Sequence, residues 1–276
     1  MRAFKISLKV VYYVLIAFVL SLALFPIYWT ITTSFKSKLD ALSASPVWVF
    51  KPIIDNYEYI AYAKIAFPRY LLNSIIISFS AAFIAISVGS IAAYALARYN
   101  FKGKENIAFW ILSTRMMPAP AVVIPLYILM RGLRIIDTHL APILAHVIIT
   151  LPFAVWVMRG FFEEIPVEIE EAAQVDGCSR RQTFMKIVLP LSLPGLIITS
   201  LFSIMFSWNE FLYALVLTST QAKTATVACT EFRGWMETAW GPAFAAATIT
   251  IIPILLLTIF LQKHLVRGLT FGAVKG

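Results

Sequence analysis

Long apolar stretches alternate with short polar ones along this chain. No Asp, Glu, Lys or Arg falls between Lys9 and Lys36, Arg69 and Arg98, Asp137 and Arg159, Lys186 and Glu210, or Glu237 and Lys263. After Glu210 the apolar pattern resumes as far as Gln221, and a further run, Asn106–Met130, carries Arg115 as its single charge. A helix crosses roughly 30 Å of hydrocarbon with about 20 predominantly apolar residues. The pattern therefore predicts an all-α membrane protein with six transmembrane helices near 10–33, 70–97, 106–130, 139–159, 196–217 and 242–262, in a single domain over residues 1–276. The first run follows Arg2, Lys5 and Lys9, as the core of a signal peptide would. Such cores are about 7–15 residues long and lie close to a small-residue cleavage site. This run is longer and ends in Phe-Pro-Ile-Tyr-Trp (25–29), so it is expected to be retained as a helix.

Composition agrees and removes other classes. Charged residues make up 13% of the chain and hydrophobic ones 60%. A soluble domain carries about 25% charged residues, so this chain has too little charge to coat a water-facing surface, and it is too apolar to be disordered. Two cysteines exclude a disulfide-rich module. The net charge of +9 would suggest nucleic acid in a soluble protein; here it divides by topology. With the N-terminus inside, the segments 1–9, 98–105, 160–195 and 263–276, counting Arg159, hold 13 basic and 7 acidic residues. The segments 34–69, 131–138 and 218–241 hold 9 and 6. Basic residues favour the cytoplasmic side, so both termini are expected in the cytoplasm. Cys178 then lies inside and Cys229 outside, and no disulfide between them is expected.

One connection stands apart. Residues 160–195 hold six of the protein's 14 acids, all between Glu163 and Asp176. Pro166 suits a first helical position, where its missing N–H has no intrahelical partner to lose. Glu168, Glu170 and Glu171 follow near the positive end of that helix. Ile165, Ile169, Ala172 and Ala173 form a narrow apolar stripe at helical spacing, and Gly177 supplies a left-handed stop. Ser179 and Gln182 form a capping box that opens a second helix. Phe184, Ile187, Val188 and Leu191 give it an apolar face, and Pro190 and Pro194 end it. Two short helices around a glycine could dock a protein or lie on lipid headgroups. Six acids facing an anionic leaflet favour docking.

The same segment carries a resemblance. Glu171-Ala172-Ala173, then Gly177 after three residues, Ile187 after nine more, and Leu189-Pro190 after one, matches the E-A-A-x3-G-x9-I-x-L-P signature of ABC-importer membrane subunits. Ile165-Pro166 and Asp176 fit its extended form. Pro125-Leu126-Tyr127, Asp137-Thr138, Trp208-Asn209-Glu210-Phe211 and the C-terminal Gly268–Gly276 are similar to the carbohydrate-uptake branch related to maltose-transporter permeases. The resemblance runs from about Ser34 to Gly276. Cys178 departs from it, standing where the family more often has Ala; both are small, so coupling is expected to survive.

The resemblance implies a type I ABC importer (MetI-like) permease fold in a bacterial or archaeal cell (inner) membrane. It implies a heterodimer with a second homologous permease, two ATPase subunits and an extracytoplasmic solute-binding protein. The coupling helix of the loop would enter a cleft on the ATPase through Glu170, Glu171, Ala172, Ala173, Asp176, Gly177, Leu189 and Pro190. ATP-driven closure of the ATPase pair would then switch the permease between inward- and outward-facing states. The chain has no G-x-x-x-x-G-K-[ST] phosphate loop, so ATP and Mg would be used by the partner ATPase and no cofactor or metal by this chain. The solute implied is a sugar or sugar-like molecule, with an amino acid or a phosphate ester as the alternative.

Ionisable groups inside a membrane cost on the order of 3 kcal/mol on insertion scales and face a cavity or a partner. Arg115, beside Met116-Met117-Pro118, reads first as a tie to backbone carbonyls freed by the prolines, and second as a pathway residue. Trp208, Asn209 and Glu210 offer an aromatic face, an amide and a carboxylate, a set suited to a sugar; the competing reading is helix–helix glue or a salt bridge to the partner subunit. Asn73 and Tyr127 are further pathway candidates. His146 reads as an interhelical hydrogen-bonding group. The loop 218–241, with Thr224, Thr226, Glu231, Arg233 and Trp235, is polar enough to meet a soluble partner. An enzyme would need a convergent nucleophile and base or a metal cluster, and His139, His146 and His264 lie on separate segments with no ligand spacing.

Overall fold

The structure, a computed structural model, describes residues 2–62, 67–232 and 239–271. The described residues are helical with connecting turns, and they contain no strand. Cα packing divides the chain into two compact units, Met1–Pro68 with Ala228–Ile251, and Arg69–Val227 with Ile252–Gly276.

In the first unit, α1 (Arg2–Ser34) is a single helix through Pro26. Its side chains from Val11 to Phe25 are largely exposed, an apolar surface that suits lipid. Two short helices follow, α2 (Lys38–Leu42) and α3 (Asp55–Tyr62), which the hydropathy pattern does not reveal. Asn56 fixes this turn, donating from Nδ2 to the carbonyls of Ser34 (2.8 Å) and Lys36 (2.9 Å). Lys36 itself is buried, its ammonium 4.0 Å from the Trp29 ring centre and 5.3 Å from that of Phe50.

In the second unit, α4 (Phe67–Arg98), which begins in the first, runs against α7 (Leu140–Glu163). The two approach closely because α4 presents Ala81, Ala85, Gly89 and Ala93. A Cβ at Gly89 would lie 2.9 Å from that of Ala154, the small-residue contact that membrane helices favour. The run 106–130 is not one straight helix. It is α5 (Lys104–Ser113), a 3₁₀ turn (Thr114–Met116) and α6 (Ala119–Gly132), bent by 95°. The cause is local: a proline disfavours the α region for the residue before it, and Met117, which precedes Pro118, has an extended ψ of 129°, followed by 125° at Pro118 itself. Pro125, Pro152 and Pro253 stay inside helices.

The span expected at 196–217 is also interrupted. Here α11 (Leu193–Trp208) stops at Trp208, and a short helix α12 (Leu212–Leu217) follows after Asn209-Glu210-Phe211. The acid-rich loop expected to dock a partner forms α8 (Val167–Val175), α9 (Arg180–Thr183), a π turn (Phe184–Val188) and α10 (Leu189–Leu191), and the run Arg180–Leu191 meets α11 at 76°. A short α13 (Ala225–Ala228) precedes the last long helix, α14 (Trp240–Phe271). Among the described residues four helices are long and apolar enough to cross a membrane, or up to six if each bent pair is one span. The core of this unit lies where α7 meets α11 and α12 meets α6, around Val123, Leu126, Ala141, Ala145, Tyr213 and Leu217.

Candidate functional site

The loop that contains α8 is anchored by two side chains of α4. Arg98, at the end of α4, donates from Nε to Glu170 Oε1 at 2.5 Å and from Nη2 to the Ile165 carbonyl at 2.8 Å. Tyr94, one turn earlier, donates its hydroxyl to Glu170 Oε2 at 2.5 Å. Both Glu170 oxygens are thus occupied within the chain and the residue is 3% exposed. Ala173, three residues on, is also buried. Glu171, Ala172, Asp176 and Gly177 are exposed on α8 and its end, so the docking candidates divide between two faces. Glu170 and Ala173 seat the helix; Glu171, Ala172, Asp176 and Gly177 remain free to be touched. Leu189 is half-buried and Pro190 exposed.

The sequence signals account for this local geometry. Gly177 has φ +92°, and a Cβ there would meet nothing within 4 Å. Its N–H and that of Cys178 close the helix on Gln174 and Ala173. The capping box is complete: Gln182 N–H donates to Ser179 Oγ (3.4 Å), and Ser179 N–H to Gln182 Oε1 (2.8 Å). Of the apolar face expected beyond it, Val188 is fully buried, Phe184 and Ile187 half-buried, and Leu191 exposed. Arg159 adds a second brace, bidentate to Glu105 (2.7 and 3.0 Å) and bonded to Glu163 (2.7 Å).

The opposite end of this unit holds a second polar cluster, of which the sequence suggested only pieces. Asp137, with φ +59°, accepts hydrogen bonds from the backbone of Ser219, Thr220, Gln221 and Ala222 and from two hydroxyls in the same turn. Burial pushes this carboxyl up, but those donors outweigh it and hold the group well below the usual carboxylate range. Asn73 is buried and donates to the carbonyls of Gln221 and Lys223, both at 2.9 Å, while His139 Nε2 lies 2.8 Å from its Oδ1. Arg69 bonds Gln221. Asn73, a pathway candidate in the sequence, is here occupied in fixing the turn 218–224. Tyr127 is half-buried against the α6–α7–α12 core.

Within the spans, Glu210 serves the interrupted helix. Its oxygens accept from the N–H groups of Tyr213 (2.9 Å) and Ala214 (3.0 Å) at the start of α12. His146 Nε2 lies 3.2 Å from Oε2, and its Nδ1 lies 2.7 Å from Ser207 Oγ. Asn209 Nδ2 donates to the Met205 carbonyl at 2.9 Å. Trp208 is buried and Asn209 exposed. The expected interhelical role of His146 matches this geometry. Arg115 differs from its first reading, because it finds aromatic rings in place of carbonyls. Its guanidinium carbon lies 4.8 Å from the Phe206 ring centre and 5.5 Å from that of Phe153. Arg115 also lines a hollow of ≈ 320 Å³ with Thr114, Ile148 and Tyr213.

Arg233, Trp235 and Ala273–Gly276 lie outside the described residues. Among the described residues no group of His, Cys, Asp and Glu could hold a metal ion.

Residues 85–271 match the family described as the binding-protein-dependent transport system inner membrane component. The diacetylchitobiose uptake system permease protein DasC of Streptomyces coelicolor is 36% identical, over 91% of this chain and 92% of its own. The trehalose/maltose transport system permease protein MalG of Thermococcus litoralis is 36% identical, over 92% of each. A crystal structure of a bacterial ABC transporter that imports the acidic polysaccharide alginate contains a chain that superposes with a TM-score of 0.77 at 23% identity, over 95% of this chain and 98% of that one. A methionine ABC transporter in an inward-facing conformation gives 0.58 at 17% identity, over 72% and 94%.

Proposed function

The chain belongs to the family of binding-protein-dependent transport system inner membrane components, and on that premise we propose that it is one permease subunit of an ATP-driven importer for a sugar or sugar-like solute. It is a multi-pass membrane protein and a transporter subunit, not an enzyme. The relatives named for diacetylchitobiose and trehalose/maltose, at 36% identity over nearly the whole chain, support the sugar class. A second homologous permease, two ATPase subunits that bind ATP and Mg, and an extracytoplasmic binding protein complete the transporter. The alginate transporter, crystallised in complex with a periplasmic protein bound to an alginate pentasaccharide, is a precedent for the last of these. Both termini lie in the cytoplasm.

The observation that carries the reading is α8. Its inner face is anchored by Arg98 and Tyr94 through Glu170, and its outer face leaves Glu171, Ala172, Asp176 and Gly177 uncovered. A helix tied so firmly to α4 can pass a push from an ATPase directly to a membrane helix. Asn209, which is exposed, lines the translocation path, with Glu210 holding the chain break that shapes it; Trp208, a candidate by residue type, is buried within the chain and does not line it.

Gly177 separates docking from folding. A side chain there meets nothing in this chain, while the left-handed φ costs an ordinary residue about 1–2 kcal/mol and Asn less. In the assembled transporter, Gly177→Trp and Glu171→Lys should lower ATP-driven uptake by about tenfold or more with membrane insertion intact. Gly177→Asn should retain most of it. Normal uptake by both Gly177→Trp and Glu171→Lys would overturn the docking assignment.

A further inference from the structure

The hollow beside Arg115 has a chemistry that the function above does not require. Arg115 follows α5, whose 10 residues carry the chain about 15 Å along the helix axis, and it stands at the 95° bend between α5 and α6. It is exposed. Among the described residues no carboxylate lies within ion-pair distance of it; its recorded neighbours are the faces of Phe153 from α7 and Phe206 from α11. Those rings also meet each other edge to face, with centres 5.2 Å apart, so they form a fixed platform. A guanidinium at this depth is costly, and cation–π contact returns only about 0.5–2 kcal/mol. The contact orients the charge without neutralising it, because ring faces leave the N–H groups at the edge of the plane without acceptors.

Arg115 lines a hollow of ≈ 320 Å³, large enough to admit water and a small polar group. Its other walls include Ile148, Thr114 and Tyr213. The Thr114 hydroxyl is turned to the Ile111 carbonyl, so beside the neutral Tyr213 hydroxyl Arg115 supplies the charged donors of this lining. Guanidinium recognises planar or tetrahedral oxyanions through paired N–H···O bonds, which neutral hydroxyls cannot match.

We infer that Arg115, held on Phe153 and Phe206, is an anion-recognition subsite, and that the solute carries a carboxylate, phosphate or sulfonate group on a sugar-like body. The inference rests on the reading of the chain as a sugar-translocating permease and narrows its substrate class.

The test uses the whole transporter in lipid nanodiscs, without the binding protein, and follows weak binding by saturation-transfer difference NMR. Glucose, glucuronate and glucose 6-phosphate are the probes. Wild type should bind the two anions more tightly than glucose. Arg115→Gln should weaken both anions by roughly tenfold to a hundredfold, the loss of one charged hydrogen-bonded pair, and leave glucose unchanged. Arg115→Lys should retain an intermediate affinity, since a point charge keeps attraction and loses the fork. Equal binding of charged and neutral probes, no binding of the anions, or anion binding undisturbed by both substitutions would overturn it. The first two outcomes are what a partner-subunit carboxylate seated on Arg115 would produce. If Arg115→Gln does not assemble, the wild-type comparison and Arg115→Lys decide. Uptake by the wild-type transporter keeps the two readings apart: no ATP-driven uptake of any of these sugars removes the importer assignment, whereas uptake that Gly177→Trp abolishes, together with unselective probes, removes the anion subsite alone.

Discussion

Several residues singled out by type turn out to be defined by what surrounds them. Glu170 and Glu171 are neighbours in the same motif, yet one is tied to Arg98 and Tyr94 and the other is exposed. Helical periodicity separates them by about 100°, but only the position of α4 tells which faces inward. Asp137 is the reverse case: marked in the sequence only as part of an Asp-Thr pair with no role given, it gathers four consecutive backbone donors. Asp137→Asn should place an amide NH₂ against those N–H groups and remove bonds to a charged acceptor worth about 1.5–3 kcal/mol each. Amide hydrogen exchange across 219–222 should accelerate accordingly. The depressed ionisation also fixes the pH dependence. The bound carboxylate contributes fully above its unfolded value of about 3.9 and is lost only as pH falls through its lower folded value. Exchange in this turn should therefore be free of an Asp137 transition between pH 5 and 8. Such a transition in that window would contradict the assignment.

At the scale of elements, hydropathy located the apolar runs and missed their interruptions. The bend at Met117–Pro118 was readable in principle, because the restriction before proline is local. The break after Trp208 was not, since Asn209-Glu210-Phe211 contains neither Gly nor Pro. It exists because Glu210 covers the first N–H groups of α12 and His146 and Thr226 meet the turn from outside. Glu210→Ala removes a helix cap, a loss of about 0.5–2 kcal/mol, and takes a partner from His146. It should lower the thermal midpoint of the purified protein. Glu210→Gln, which keeps an acceptor oxygen, should lower it less. Equal midpoints for wild type and Glu210→Ala would mean that the cap contributes nothing to the break. The short helices α2 and α3 were invisible to the pattern because they are too short to carry a period and depend on Asn56 reaching back to Ser34 and Lys36.

At the scale of the whole molecule, the surplus of basic residues supports the proposed sidedness. In the proposed topology Cys178 lies on the cytoplasmic side and Cys229 outside, so a membrane-impermeant thiol reagent should label Cys178 in inside-out vesicles and spare it in intact cells. Labelling of Cys178 from outside would reverse the topology. The sequence by itself determined the membrane class, the number and places of the apolar runs, and the two short helices of the acid-rich loop with their glycine stop and capping box. These follow from transfer free energy and backbone chemistry, which act over one helix or one turn. Tertiary structure decided which acid of the loop is an anchor, that Asn73 and Asp137 secure a turn more than 80 residues away, and that Arg115 stands on two aromatic rings with no acid beside it among the described residues. Those outcomes depend on which side chains meet across helices, and neither the hydropathy of a run nor the spacing of a motif encodes that.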